Sequence, residues 1–335
     1  MKVFEGYSAS EIWNQGYDYI LDQKEPSIQA SRIGTTIEVM KSCFSIKNSR
    51  DRWVLNRKPM ISPAFAIAEV FWILDGSDKA DFINTWNPLL KKYAGNAQHY
   101  HGAYGQRLRY NLGFDQIERA YKTLKNNPDS RQVVLQIWDG VKDLPKTNGQ
   151  PNNADIPCNT TSLLKIRDNK LEWSQIMRSN DIFRGTPYNF VQFTTLQEII
   201  AGWLNVDIGE YFYFTDSLHI YENDLEKFSK RKGLLNLANT DNLLFSKKQF
   251  DEFFPKCMNI LKKIYKDGVK NEDILDLQND NVIPQEYKNL LSLPLAYIAL
   301  KNNDFELVQN CESICTNNLL LTIWKLWKEE IYKKV

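Results

Sequence analysis

Cys158 stands between Pro157 and Asn159 in the stretch DIPCNTTSLLKI, at the mouth of an expected strand. A thiol attacks carbon only as the thiolate, so a nucleophilic cysteine needs cations, a helix N-terminus or a base beside it. The sequence supplies Arg131 in PDSRQ, Arg178 in MRSND and a helix that follows Asn189. Spacing alone does not bring these groups together, and a buried structural cysteine is the plain alternative. Glu69 is the second residue of interest. It is embedded in the apolar run SPAFAIAEVFWIL, where a carboxyl must find a partner.

The elements that position these residues follow from periodicity. A helix is expected over residues 8–24 after the cap sequence SAS, a strand over TTIEVMKSCFSI, and an apolar helix over residues 62–74. A polar-faced helix over 114–126 ends at NNPDSR, and QVVLQIW reads as a short buried strand. TTSLLKI and LEWSQIM, joined by RDNK, read as a hairpin. Phe190, Phe193, Leu196, Ile200 and Trp203 recur at helical spacing, and EYFYFTDSLHIY returns to strand. The class is α+β, with a mixed or antiparallel sheet. From about residue 225 the chain turns Lys/Asn-rich and helical. Near its end Leu320, Ile323, Trp327 and Ile331 share an apolar face. A boundary near residue 228 divides residues 1–227 from a helical segment, 228–335, of open role.

Composition narrows the classes. The 335 residues are 25% charged and 43% hydrophobic, as in a soluble globular protein. Lys+Arg 42 against Asp+Glu 41 argues against a generally basic nucleic-acid binder. No apolar run is long enough for a bilayer, and MKVFEGYSASEIW carries no signal-peptide core, so no membrane partner and a cytoplasmic location are expected. Cys43, Cys158, Cys257, Cys311 and Cys315 are odd in number and irregularly spaced, which reads as reduced thiols. Cys311 and Cys315 sit one helical turn apart, but no second ligand pair lies nearby, and no metal site is expected.

The order of segments resembles the thymidylate synthase family over roughly residues 8 to 224. The matching fragments are EVFW from Glu69 to Trp72, Tyr104 to Arg109, PDSR from Pro128 to Arg131, and Pro157–Cys158. RSND from Arg178 to Asp181, Gly185 to Asn189, and His219 with Tyr221 complete the series. The resemblance implies a thymidylate synthase-like mixed sheet with packed helices. It also implies one-carbon transfer from methylenetetrahydrofolate, as co-substrate, to C5 of a pyrimidine nucleotide, dUMP foremost.

In that reading Cys158 is the thiolate that adds to C6 and turns C5 into an enolate-like carbon. Glu69 works through water as general acid and base. Arg178 and Ser179 bind the phosphate within the subunit, Arg131 reaches in from the partner of a homodimer with shared sites, and Arg32 is a further phosphate arginine. His219 and Tyr221 bind the sugar 3′-hydroxyl, and Asn189 reads the base. Family relatives that use cytosine carry Asp at the matching position, so Asn189 points to uracil. Asp181 holds the pterin ring, Gly185 lets the folate approach, and Trp86 packs against it.

Several positions depart from the family pattern. Asn159 replaces a His after the nucleophile, Gln132 a second phosphate arginine, Arg184 a leucine before the folate glycine, and Gln192 a serine. The apolar C-terminal tail that closes the family's folate site is not found, and a helical segment stands in its place. These departures bear on the last step, in which hydride from tetrahydrofolate gives a methyl group and water gives a hydroxymethyl group. Methylation is the reading retained. A dUMP or UMP 5-hydroxymethylase is the first alternative, and a non-catalytic nucleotide-binding family member is the second.

Overall fold

The computed structural model describes residues 1–31, 33–231 and 237–332, so the expectation for Arg32 lies outside the described residues. Strand β1 (Lys2–Gly6) and helix α1 (Ala9–Leu21) lead into β2 (Ser27–Ser31), β3 (Gly34–Ile46) and the two-residue β4 (Arg57–Lys58). Helices α2 (Pro63–Leu74), α3 (Ala80–Asn84), α4 (Leu90–Ala94), α5 (Tyr104–Arg109) and α6 (Gln116–Asn126) follow. Next come β5 (Val134–Gln136), α7 (Gly140–Asp143), β6 (Asn159–Arg167), β7 (Lys170–Asp181), α8 (Thr186–Leu204) and β8 (Asp207–Tyr221). β9 (Ser229–Lys230) pairs with β4, and the C-terminal part is α9 (Lys247–Asp267), α10 (Asn271–Asn279), α11 (Gln285–Lys301), α12 (Phe305–Ile314) and α13 (Asn318–Ile331).

The sheet has the order β1-β3-β8-β7-β6-β5, with β2 also on β3. It is mixed: β1–β3 and β7–β8 are parallel and the other pairs antiparallel. The β6–β7 hairpin is tighter than RDNK suggests. Its loop is Asp168–Asn169 alone, both at positive φ (49° and 58°), the left-handed pair that matches strand twist in a two-residue hairpin. The strand expected over QVVLQIW shrinks to Val134–Gln136, and Val134 is exposed, because only alternate residues of this edge strand face the core.

Helix α8 lies on the sheet, α2 lies on α8, and α11 and α13 lie on α2. Both central helices are buried almost all round, α2 with apolar side chains nearly throughout and α8 with polar ones such as Asn189, Gln192 and Glu198 among them. Ser62 caps α2 by accepting from Phe65 N, and Pro63 occupies its first turn. α8 starts three residues earlier than its apolar spacing suggests, at Thr186, with Pro187 in the first turn. One continuous apolar core joins the sheet, α2 and the C-terminal helices, with Phe71 stacked on Phe254 at 5.7 Å and edge-on to Tyr287 at 6.3 Å.

Leu320, Ile323 and Trp327 are buried as expected of their shared face. Ile331 is not: it is 39% exposed, because at this end of α13 the neighbouring Glu330 turns inward and accepts from Met60 N at 2.7 Å. Cys257, Cys311 and Cys315 are buried, and burial pushes the Cys311 and Cys315 thiols up to about 12 and about 11. Among the described residues no cluster of His, Cys, Asp and Glu is arranged to hold a metal, and no helix is long and apolar enough to cross a membrane.

Candidate active site

Strand register assembles the site. Antiparallel pairing sets Asn159 opposite Met177, and Arg178 N donates to Cys158 O at 3.0 Å. Parallel pairing of β7 with β8 then sets Ser179 beside Ser217 and Asp181 beside His219. Residues far apart in sequence meet at one end of three adjacent strands.

Cys158 is half-buried at the head of β6. Its sulfur has the Arg178 guanidinium at 3.8 Å and the Ser179 hydroxyl at 3.9 Å. Arg178 is locked by the loop before the cysteine, donating to Pro157 O at 2.9 Å and Ile156 O at 3.2 Å. The arginine is exposed, so it can meet an anion from solvent while standing over the thiol. Arg131 is also exposed, in the loop between α6 and β5.

Glu69 lies on α2 and faces α8, where Gln192 donates to its carboxylate. The residue is half-buried rather than sealed in. Burial still pushes its carboxyl up to about 7, opposed by the Gln192 hydrogen bond. The Tyr104 phenol links the two chemical residues. It contacts Asn159 and is raised first by burial and next by the nearby Cys158, with Glu69 adding to the effect.

Asn189 sits in the first turn of α8 and is buried. Its side-chain oxygen accepts from Asn159 Nδ2 at 3.2 Å, and its amide donates to Asn180 Oδ1 at 3.3 Å and Gly185 O at 3.0 Å. A side chain on Gly185 would run into Asn180 Oδ1, so the glycine makes room for this contact. Asp181 Oδ1 accepts from Phe183 N and Arg184 N, each at 2.7 Å, which folds the turn into α8. Trp13 Nε1 and Arg57 Nε brace that turn from outside, on Ile182 O at 2.6 Å and Phe183 O at 2.7 Å.

Among the described residues Asp181 Oδ2 is buried with no hydrogen-bond partner, as is the indole N–H of Trp86. Burial raises the Asp181 carboxyl and lowers His219. The Trp86 ring packs on Phe82 at 4.8 Å and is itself buried. His219 and Tyr221 sit edge-on at 5.6 Å on β8.

Arg184 points into this region. Asp224, fully buried, holds it with two hydrogen bonds of 2.6 Å, the Tyr93 hydroxyl accepts a third, and the guanidinium stacks against the rings of Tyr93 and Tyr221 at 5.2 and 5.1 Å. The site is thus more polar on this side than an apolar wall. Sequence reasoning missed Asp224, Asn180, Gln175 and Trp173. The available signal was strand alternation: Trp173, Gln175 and Met177 share the buried face of β7, where a glutamine needs a partner.

Comparison with known proteins agrees with this geometry. The family model described as thymidylate synthase matches residues 12–253. A deoxyuridylate hydroxymethyltransferase of Bacillus phage SP01 is 31% identical over 235 residues, covering 67% of this chain and 60% of that protein. One from Pseudomonas phage M6 is 32% identical over 168 residues, covering 50% and 46%. A thymidylate synthase of Francisella philomiragia is 30% identical over 178 residues, covering 49% and 64%. The chain therefore spans about half to two thirds of the length of these curated relatives. With the strand order, the Cys158 environment and a match over most of the chain in agreement, this protein belongs to the thymidylate synthase family.

Proposed function

We propose that the chain transfers a one-carbon unit from methylenetetrahydrofolate to C5 of dUMP through a covalent Cys158 adduct. The observation that carries the reading is the meeting of Cys158, Arg178, Ser179 and Asn189 with a Glu69 carboxyl held near 7. Arg178 and Ser179 bind phosphate beside the Cys158 sulfur. Cys158 adds to C6, and Asn189 binds the O4–N3 edge. Glu69, balanced between its two protonation states near neutral pH, moves the C5 proton through water. His219 and Tyr221 bind the sugar.

The residues present fit a reduced folate. Among the described residues Asp181 Oδ2 is an orphaned acceptor level with His219, and the Trp86 indole is an orphaned donor. When bound, the folate supplies a one-carbon unit at the oxidation level of formaldehyde. Asp181 would hold its pterin ring.

The Arg184–Asp224–Tyr93 cluster favours hydroxymethylation over methylation as the last step. Protecting an exocyclic methylene on the pyrimidine from hydrolysis needs a dry wall, and a guanidinium beside Asp181 retains water. The two phage relatives named as hydroxymethyltransferases weigh the same way.

A cytoplasmic homodimer with Arg131 completing the partner's phosphate site belongs to the same reading. Val134, Leu163, Ser174, Phe212 and Ser45 form one register row on the sheet face opposite α8. Val134 and Phe212 there are 51% and 38% exposed in the single chain. Residues 228–335 are read as a segment that buttresses α2, and with it Glu69.

Mass analysis of the product from dUMP and methylenetetrahydrofolate tests the proposal. A gain of hydroxymethyl is expected. A gain of methyl would overturn the last step, and an unchanged nucleotide would overturn the whole reading.

A further inference from the structure

Buried amides lie head to tail between β7 and the start of α8. The indole N–H of Trp173, which can only donate, meets Gln175 Oε1 at 3.1 Å, and Ser162 Oγ donates to the same oxygen at 2.5 Å. Gln175 Nε2 is thereby left to donate to Asn159 Oδ1 at 2.9 Å. Asn159 Nδ2 then donates to Asn189 Oδ1 at 3.2 Å. Asn189 Nδ2 in turn donates to Gly185 O at 3.0 Å, a group that can only accept. Both ends therefore impose the same polarity on Asn189. Trp173, Gln175 and Asn159 are fully buried, so bulk water does not replace a partner that is lost.

We infer that this relay sets the choice of base: Trp173 and Gln175 are positioning residues that hold Asn189 with its oxygen facing N3–H and its amide facing O4. That pattern suits uracil and opposes cytosine, whose N3 accepts and whose N4 donates. The inference rests on the proposed role of Asn189 at the base. An asparagine there is otherwise ambiguous, because a half-turn of its amide serves either base.

The relay matters most once the nucleotide is bound. The Gly185 carbonyl already accepts the Asn189 backbone N–H at 3.0 Å, so the side-chain hydrogen on it is the one that turns to the base. The other Asn189 hydrogen goes to Asn180 Oδ1 at 3.3 Å, and Asn180 Nδ2 ends on the Tyr213 hydroxyl at 2.7 Å and on the Met177 sulfur at 3.4 Å. A hydroxyl accepts or donates equally well and a thioether sulfur accepts only weakly, so that branch fixes direction weakly. The indole, a full-strength donor at 3.1 Å, remains as the strong end that permits one polarity only.

The test is the ratio of dissociation constants for dCMP and dUMP, measured on one preparation of each variant. The ratio is insensitive to a fraction of misfolded chain and to effects on Cys158 chemistry, which a purely structural role would share between both nucleotides. Trp173→Phe keeps every amide and removes the one-way donor. It is expected to lower the discrimination against dCMP about tenfold, roughly the worth of one neutral hydrogen bond. Gln175→Met, close in volume, is expected to act in the same direction and serves if Trp173→Phe fails to fold. Asn189→Asp separates the two levels of the argument. If it shifts the ratio while Trp173→Phe and Gln175→Met leave it unchanged, the relay is overturned and the base-reading role stands. If Asn189→Asp also leaves it unchanged, or the unaltered chain binds neither nucleotide, both fall together.

Discussion

Gln192 on α8 donates its side-chain amide to the Glu69 carboxylate on α2, so the two central helices are joined by the group proposed to move the proton. Burial raises this carboxyl to about 7 and the amide holds it from rising further. Taking the C5 proton requires the carboxylate, so the rate is expected to climb with pH through an apparent value near 7. Gln192→Met removes the opposing hydrogen bond and should move that limb to higher pH. The pH dependence of kcat/KM for dUMP checks both.

The same residue has a stability signature. Its folded-state value lies above the ordinary 4.5, so the folded chain holds the proton more tightly than the unfolded one. Stability is therefore lost as pH rises from about 4.5 through about 7, by on the order of 3 kcal/mol. Glu69→Gln should abolish turnover yet melt at a higher temperature than the parent at pH 8. Thermal melts at pH 5 and pH 8 give the comparison, and a gain confined to the higher pH is the expected result.

Cys158→Ser should end turnover, since a neutral hydroxyl offers far less anion than a thiol near pH 7. Cys158 is only half-buried, so the melting temperature should hold. Mixing this variant with Arg131→Ala chains should restore part of the activity if hybrid dimers contain one intact site. Subunit exchange without any recovery would count against shared sites.

Arg184→Leu alone would strand the fully buried Asp224, at a cost of about 3–5 kcal/mol. The paired change Arg184→Leu with Asp224→Ala removes both charged groups, so that neither is left buried without its partner. It should dry the folate side and raise the proportion of methyl over hydroxymethyl product. Product mass ratios read this directly.

Leu320 on α13 lines a small cavity with Val70 and Phe71 of α2, behind Glu69. Leu320→Ala should lower stability by about 2–5 kcal/mol. If residues 228–335 act as a buttress, Michaelis constants for nucleotide and folate should both stay put. A selective rise in the constant for folate would instead mark the segment as a wall of that site.

The ordered fragments made the family legible, and hydrophobic periodicity located α1, α2, α6, α8 and the long strands. What escaped had no local signal. Asp224 lies beyond the last recognised fragment and becomes informative only once Arg184 is seen against it at 2.6 Å. Gln175 looks like an ordinary strand glutamine until Asn159 and Trp173 are placed on either side. Arg184 and Gln192 were visible as departures, but their partners, Asp224 and Glu69, required the packing of separate elements. The helix boundary at Thr186 was missed because Pro187 reads as a break within a sequence and as a start at the first turn of a helix.

The parallel ladder between β7 and β8 places Asp181 level with His219 and Ser179 level with Ser217. It works as a ruler. The separation between the Asp181 carboxylate and the His219 imidazole is set by the spacing of neighbouring strands, about 4.8 Å, and their level by the register of the rungs. A single residue inserted between Met177 and Asp181 would carry the carboxylate past its mark and turn every later side chain to the opposite face. Chain length within these two strands is therefore fixed far more tightly than the identity of the residues around them, whereas the Asp168–Asn169 end of the hairpin, at the opposite end of β7 from Asp181, is free to vary in length.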